Sequence, residues 1–244
     1  MKLHISPATT EVLRELADYF VATAKQAIAT HGRFTVALSG GSSPKKLYEL
    51  LASDAFKGQL DWTKVYFFFG DERNVPHTDS QSNYLMAKTA MFEPLHIDAA
   101  QTFPVDTSLS PAEAAQAYTT AINQLFGSEP ARFDLVLLGL GDNSHTASLF
   151  PHTPVLHDES VGAKEVYVEE IKADRITLTA PLINQAKAIA FLVFGEDKAA
   201  AVKHILEDPR DIESFPAQLI APVTGELHWF LDTAAASKLE QQTT

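Results

Sequence analysis

Between Thr9 and Thr30 the apolar side chains Val12, Leu13, Leu16, Ala17, Phe20, Val21, Ala24 and Ile28 recur at the i, i+3, i+4 spacing of one helix face. The spacing predicts a helix, and Gly32, directly after His31, is a natural left-handed stop for it. Phe34 to Leu38 follows as an apolar run without polar alternation, the pattern of a short buried strand, and leads directly into SGGSSP and the helix-like KKLYELL. The same unit recurs as Lys64 to Phe69 before GDERNVP, Phe133 to Leu138 before GLGDNSH, and Ala188 to Phe194 before GEDKAAAVKHIL. Pro111 to Phe126 adds a further helical segment. Buried strands alternating with helices predict an α/β fold: one domain over residues 1–244, three layers in αβα order, with a mostly parallel, Rossmann-like sheet covered on both faces. No fixed-period repeat or low-complexity tract interrupts this order, and Asp208 to Ser214 reads as a charged loop.

Composition narrows the function classes. A net charge of −12 argues against nucleic acid or an anionic membrane surface as partner, although a local group of cations can still hold a small anion. The absence of cysteine removes disulfides, thiolate nucleophiles and Cys-ligated zinc. No apolar stretch reaches the roughly 18 residues needed to span a bilayer, and MKLHISPATT has neither the apolar core nor the cleavage site of a signal peptide. A cytoplasmic protein is expected.

The chemistry is concentrated where strands end. In FDLVLLGLGDNSHTASLFP a buried strand breaks at Gly139-Leu140-Gly141 into a cluster holding Asp142, Asn143, Ser144, His145, Thr146 and Ser148. Ligands of open α/β sheets sit at such carboxyl ends, where backbone N–H groups are free to converge. His145 is the candidate proton shuttle, since imidazole titrates near neutrality. In SGGSSP, Gly40 and Gly41 let the backbone approach a ligand, Ser39 and Ser42 offer hydroxyls, and Pro44 opens a helix whose N-terminus faces an anion. The loop reads as a phosphate cradle or as an ordinary tight turn. It is neither GxxxxGK[ST] nor GxSxG. GDERNVP supplies Asp71 as a base or hydroxyl acceptor and Arg73 as an anion holder. Arg175 and Lys198 are cations able to complete a phosphate site. GLGDNS is no dinucleotide fingerprint, because Ser144 stands where the third glycine belongs and Pro151 stops any helix. His145, His152 and His157 have no zinc-motif spacing, so no metal site is expected.

Taken in order, SGGSSP, GDER with SNYLMAKTAMFEPL, GLGDNSHTASLFP, RITLTAPLINQAKAIAFLVFGEDKAAAV and GELHWFLDTAA closely resemble the 6-phosphogluconolactonases, which are related in fold to the glucosamine-6-phosphate deaminases. The resemblance spans nearly the whole chain. It implies hydrolysis of 6-phospho-D-glucono-1,5-lactone to 6-phosphogluconate in the oxidative pentose phosphate pathway, with no metal or organic cofactor; a monomer is expected. It also implies that His145 is the catalytic histidine, that SGGSSP, Arg175 and Lys198 form the phosphate site, and that Asp71 and Arg73 are active-site residues. One departure stands out: the family's Asp-Gly pair before the histidine is Asn143-Ser144 here. An amide at 143 can orient His145 but cannot act as a base, Asp142 is a candidate substitute for the lost carboxylate, and serine at 144 argues against a strongly positive φ there. The rival readings are an aldose-ketose isomerase-deaminase acting on an amino sugar phosphate and a catalytically silent sugar-phosphate sensor.

Overall fold

The computed structural model describes residues 1–240. In chain order the regular elements are β1 (Lys2–Ser6), α1 (Thr9–His31), β2 (Phe34–Leu38), α2 (Ser42–Leu51), β3 (Val65–Phe69), β4 (Asp71–Arg73), α3 (Asn83–Ala87), α4 (Pro111–Phe126), β5 (Leu135–Leu138), β6 (Ala163–Val168), β7 (Ala173–Leu178), α5 (Ala180–Asn184), β8 (Ala188–Val193), α6 (Ala199–Leu206) and β9 (Glu226–Asp232). Six strands form one sheet in the order β1-β9-β8-β5-β2-β3, every pair parallel.

The lack of polar alternation in these strands has a direct cause, because both faces are buried. Phe34, Val36, Leu38, Phe67, Phe69, Leu135, Leu137 and Ala190 pack toward α1, α2 and the segment after α3. Ala37, Phe68, Val136, Leu138, Ile189, Phe191 and Trp229 pack toward α4, α5 and α6 on the other face. Burying one such large side chain stabilises by about 1.5–3 kcal/mol, so the two faces together offset much of the ordering cost. This is the three-layer αβα arrangement expected from the sequence.

The sequence-predicted elements are present with small changes of boundary. Helix α1 buries seven of its eight predicted apolar positions, and Gly32 closes it at φ 83 with its N–H on the Ile28 carbonyl. Helix α4 starts at Pro111 behind a Ser110–Glu113 capping box. Strand β3 begins one residue later than predicted, since Lys64 closes a 3₁₀ turn capped by Asp61. Strand β5 begins at Leu135 rather than Phe133, where Asp134 interrupts the ladder by accepting from the Thr35 N–H (2.8 Å) and hydroxyl (2.9 Å). Two features go beyond the prediction. Edge strand β1 pairs with β9, and β4, β7 and β6 form a separate antiparallel sheet packed beside α4. No helix among the described residues is long and apolar enough to cross a membrane.

Candidate active site

All strands of the large sheet run the same way, so the segments after β2, β3, β5 and β8 leave from one edge. They line a single cleft with Ser39, Gly40, Gly41, Ser42, Asp71, Arg73, Gly139, Gly141, His145, Arg175 and Lys198 in its wall. The structure therefore brings together the candidate catalytic and phosphate residues. Asn143 and Ser144 stand behind His145 rather than in the wall.

One part of the cleft gathers a glycine-serine turn, a helix start and three cationic side chains. The Ser39 N–H donates to the Tyr48 hydroxyl (2.9 Å), which in turn donates to the Ser39 carbonyl (2.7 Å), so a buried tyrosine on α2 fixes the loop at its origin. A Cβ at Gly40 would fall 2.0 Å from Asn83 Oδ1, and Gly41 adopts φ 101; glycine is required at both for the chain to turn into α2 with its N-terminus facing the cleft. Gly195, at φ 103, donates its N–H to the Asp232 carboxylate (3.1 Å), and the turn so held presents Lys198 at the edge of α6. Arg73 and Arg175 are register partners across β4 and β7, which sets two guanidiniums side by side. Each has a buried Nε without a partner, while Arg73 Nη1 donates to the Gln81 carbonyl (2.6 Å).

His145 stands opposite. Its Nδ1 lies 2.5 Å from Asn143 Oδ1. An amide oxygen only accepts, so Nδ1 carries the proton and Nε2 keeps a free lone pair. Burial pushes the imidazole down to about 4; Asp71 and Asp142 favour its charged form, and Arg175 and Lys198 oppose it. The ring is neutral at neutral pH and competent as a base. Gly141 permits this placement, since a Cβ there would lie 2.1 Å from Nδ1. The Asp71 carboxylate is held by the Ser148 hydroxyl on Oδ2 (2.6 Å) and the Asn83 amide on Oδ1 (3.3 Å), with Arg175 Nη1 at 3.9 Å. Asp71 thus acts as a fixed charge beside both His145 and Arg175.

Two details correct the sequence reading. Ser144 does adopt a positive φ, 65°, in the left-handed region. Its N–H donates to the Gly141 carbonyl (3.1 Å) and its carbonyl accepts from Ala217 (3.0 Å), and these bonds hold a conformation that serine ordinarily avoids. Asp142 does not replace the missing carboxylate at the imidazole. It is exposed and accepts from the Asn143 N–H (3.0 Å), while Asn143 takes the orienting position. His152 and His157 pair with Glu213 away from His145, and no three His, Asp or Glu side chains among the described residues are placed to hold a metal ion.

Sequence reasoning missed several contributors. Tyr118 repeats the Tyr48 device at the next strand, accepting from the Phe69 N–H (2.6 Å) and donating to its carbonyl (3.0 Å) just before Asp71. Glu72, fully buried and with its carboxyl pushed up by burial, accepts from the N–H groups of Arg73, Asn83 and Tyr84 and from the Ser82 hydroxyl. It fastens β4 to α3, flanked in sequence by the site residues Asp71 and Arg73. A carboxylate inside a short polar motif was the available signal, yet periodicity does not distinguish a buried anchor from a solvated charge.

Comparison with known proteins gives one consistent result. Residues 7–229 match the family model described as glucosamine-6-phosphate isomerases/6-phosphogluconolactonase. The 6-phosphogluconolactonase of Nostoc sp. is 39% identical over 97% of this chain and 98% of its own length. That of Synechocystis sp. is 42% identical over 88% of each. The structure of 6-phosphogluconolactonase from Trypanosoma cruzi superposes with a TM-score of 0.88 at 28% identity, covering 98% of this chain and 97% of the other.

Proposed function

The chain belongs to the glucosamine-6-phosphate isomerase/6-phosphogluconolactonase family, and we propose that within it this protein hydrolyses 6-phospho-D-glucono-1,5-lactone to 6-phosphogluconate, as its 6-phosphogluconolactonase relatives are named for doing. The observation that carries the reading is the neutral His145, its Nδ1–H on the Asn143 carbonyl and its Nε2 free, in the same cleft wall as the glycine-serine loop and the arginine pair. In this reading the N–H groups of Gly40–Ser42, with Arg175 and Lys198, hold the phosphate remote from the reacting carbon and so orient the ring. His145 Nε2 takes a proton from water as its oxygen bonds to C1. Arg73 stabilises the oxyanion that forms, with Asp71 fixing the field around it. The imidazolium then returns the proton to the ring oxygen as the C1–O bond breaks, leaving a carboxylic acid that ionises. No covalent intermediate is needed, because a δ-lactone is already activated and positioning plus one base suffices.

The amide at 143 supports lactone hydrolysis over the isomerase-deaminase alternative, which needs a carboxylate-rich relay to move protons between carbon atoms. The reading includes a single domain working as a cytoplasmic monomer in the oxidative pentose phosphate pathway, with the protein's own base and cations supplying the chemistry without a metal. The test is acid release from lactone generated in situ, corrected for spontaneous hydrolysis. His145→Ala should lower the rate by about 10²–10⁴-fold while the protein stays folded and binds product. A folded variant retaining over about a tenth of the activity would remove His145 from its role, because loss of a general base costs far more. Robust ammonia release from glucosamine 6-phosphate by the native protein would overturn the whole reading, and product binding without turnover would favour a sensor.

A further inference from the structure

The bond from Nδ1 to Asn143 opposes rotation of the His145 ring about its Cβ–Cγ bond. Rotation would swing Nε2 out of the cleft. Phe150, at the end of the same loop, blocks that motion: its ring centroid lies 4.0 Å from the imidazole centroid with the planes 16° apart. Phe150 is itself 6% exposed, so its own ring has little room to turn away. The Arg175 guanidinium carbon lies 5.9 Å from the centre of the same phenyl ring, within cation–π range. One aromatic ring therefore contacts both His145 and Arg175.

We propose that Phe150 is a positioning residue of the reaction: its flat face holds the His145 imidazole in the plane that keeps Nε2 directed into the cleft, and keeps Arg175 in register with it. The proposal rests on His145 being the base. A leucine could bury comparable area but has no plane to present. The groups facing His145 are Asp71 from β4, Arg175 from β7, Asp142 from its own loop and Lys198 from the turn after β8, and the dominant influence on its protonation is burial. Phe150 supplies part of that burial. Losing its face should therefore admit water and let the imidazole protonate at higher pH, in addition to loosening its aim.

Phe150→Leu should lower kcat about ten- to a hundredfold, the cost of a slightly misplaced catalytic group, with KM for the lactone nearly unchanged. The acid limb of its pH profile should move to higher pH. Phe150→Tyr, which keeps the ring, should restore most of the rate and the position of that limb. In the wild type, the ring protons of His145 should resonate upfield of an unstacked histidine through the phenyl ring current, a reading that needs no variant and decides the matter if Phe150→Leu does not fold. Unshifted His145 resonances, a Phe150→Leu enzyme with wild-type kcat and acid limb, or a loss appearing only in KM would overturn the proposal. His145→Ala separates the two levels: if it is active, the assignment of the base fails; if it is inactive while Phe150→Leu is normal, only the role of Phe150 fails.

Discussion

Asn143 and Ser144 replace a carboxylate and a glycine, and each makes a measurable prediction. With its imidazole held down to about 4, chiefly by burial, His145 should leave kcat/KM flat from neutrality until the pH approaches that value. The stability linkage has the same sign. An unfolded histidine takes up its proton near 6.5, so the contribution of this site is complete above about 6.5 and is lost as the pH falls toward 4. Asn143→Asp would set an anion against Nδ1 and favour imidazolium. Its acid limb should move up while activity at neutral pH stays within about tenfold, checked by kcat/KM profiles of both proteins. Collapse of activity would show that the neutral amide is essential. Ser144→Gly should relieve the left-handed strain and stabilise by about 1 kcal/mol, a rise in Tm of about 2–4 °C at this chain length. The residue types at this site were legible in the sequence, but the φ of Ser144 was not, because it is imposed by bonds to Gly141 and Ala217.

At the scale of elements, the proposed anion site joins the start of α2, the β4–β7 ladder and the turn before α6. Arg175→Ala and Lys198→Ala should each raise KM much more for the phosphorylated lactone than for unphosphorylated gluconolactone, since only the former carries the charge they neutralise. Equal effects on both substrates would assign these cations another task. The units from which the loops depart could be read because a strand buried on both faces, a glycine-bearing break and a helix make a local signal. The second sheet could not. Asp71–Arg73 is three charged residues whose pairing with Ala173–Leu178 is decided a hundred residues away, so Arg73 and Arg175 became neighbours only in the fold. Edge strand β1 was missed for a related reason: KLHIS does alternate polar and apolar residues, but over five positions only, and its pairing partner is the distant segment Glu226–Asp232.

For the whole molecule, a net charge of −12 coexists with a cleft wall carrying Arg73, Arg175 and Lys198. Binding to that wall stabilises the folded state alone, so sulfate at about a hundred times its Kd should add about 2.7 kcal/mol and raise Tm by about 5–10 °C. A thermal melt reads this directly, and Arg175→Ala should abolish most of the shift. The order β1-β9-β8 has a consequence of another kind, in time. Ser6 is synthesised 226 residues before its register partner Asp232. At about 5–20 residues per second the first strand waits on the order of 10–45 s for its neighbour. Until then β8 is an uncovered edge and α1 has no completed sheet to close upon. A ribosome stalled before Glu226 should therefore hold a protease-sensitive nascent chain, and one stalled far enough beyond Asp232 for β9 to clear the exit tunnel should hold a resistant one, with the N-terminal segment protected last.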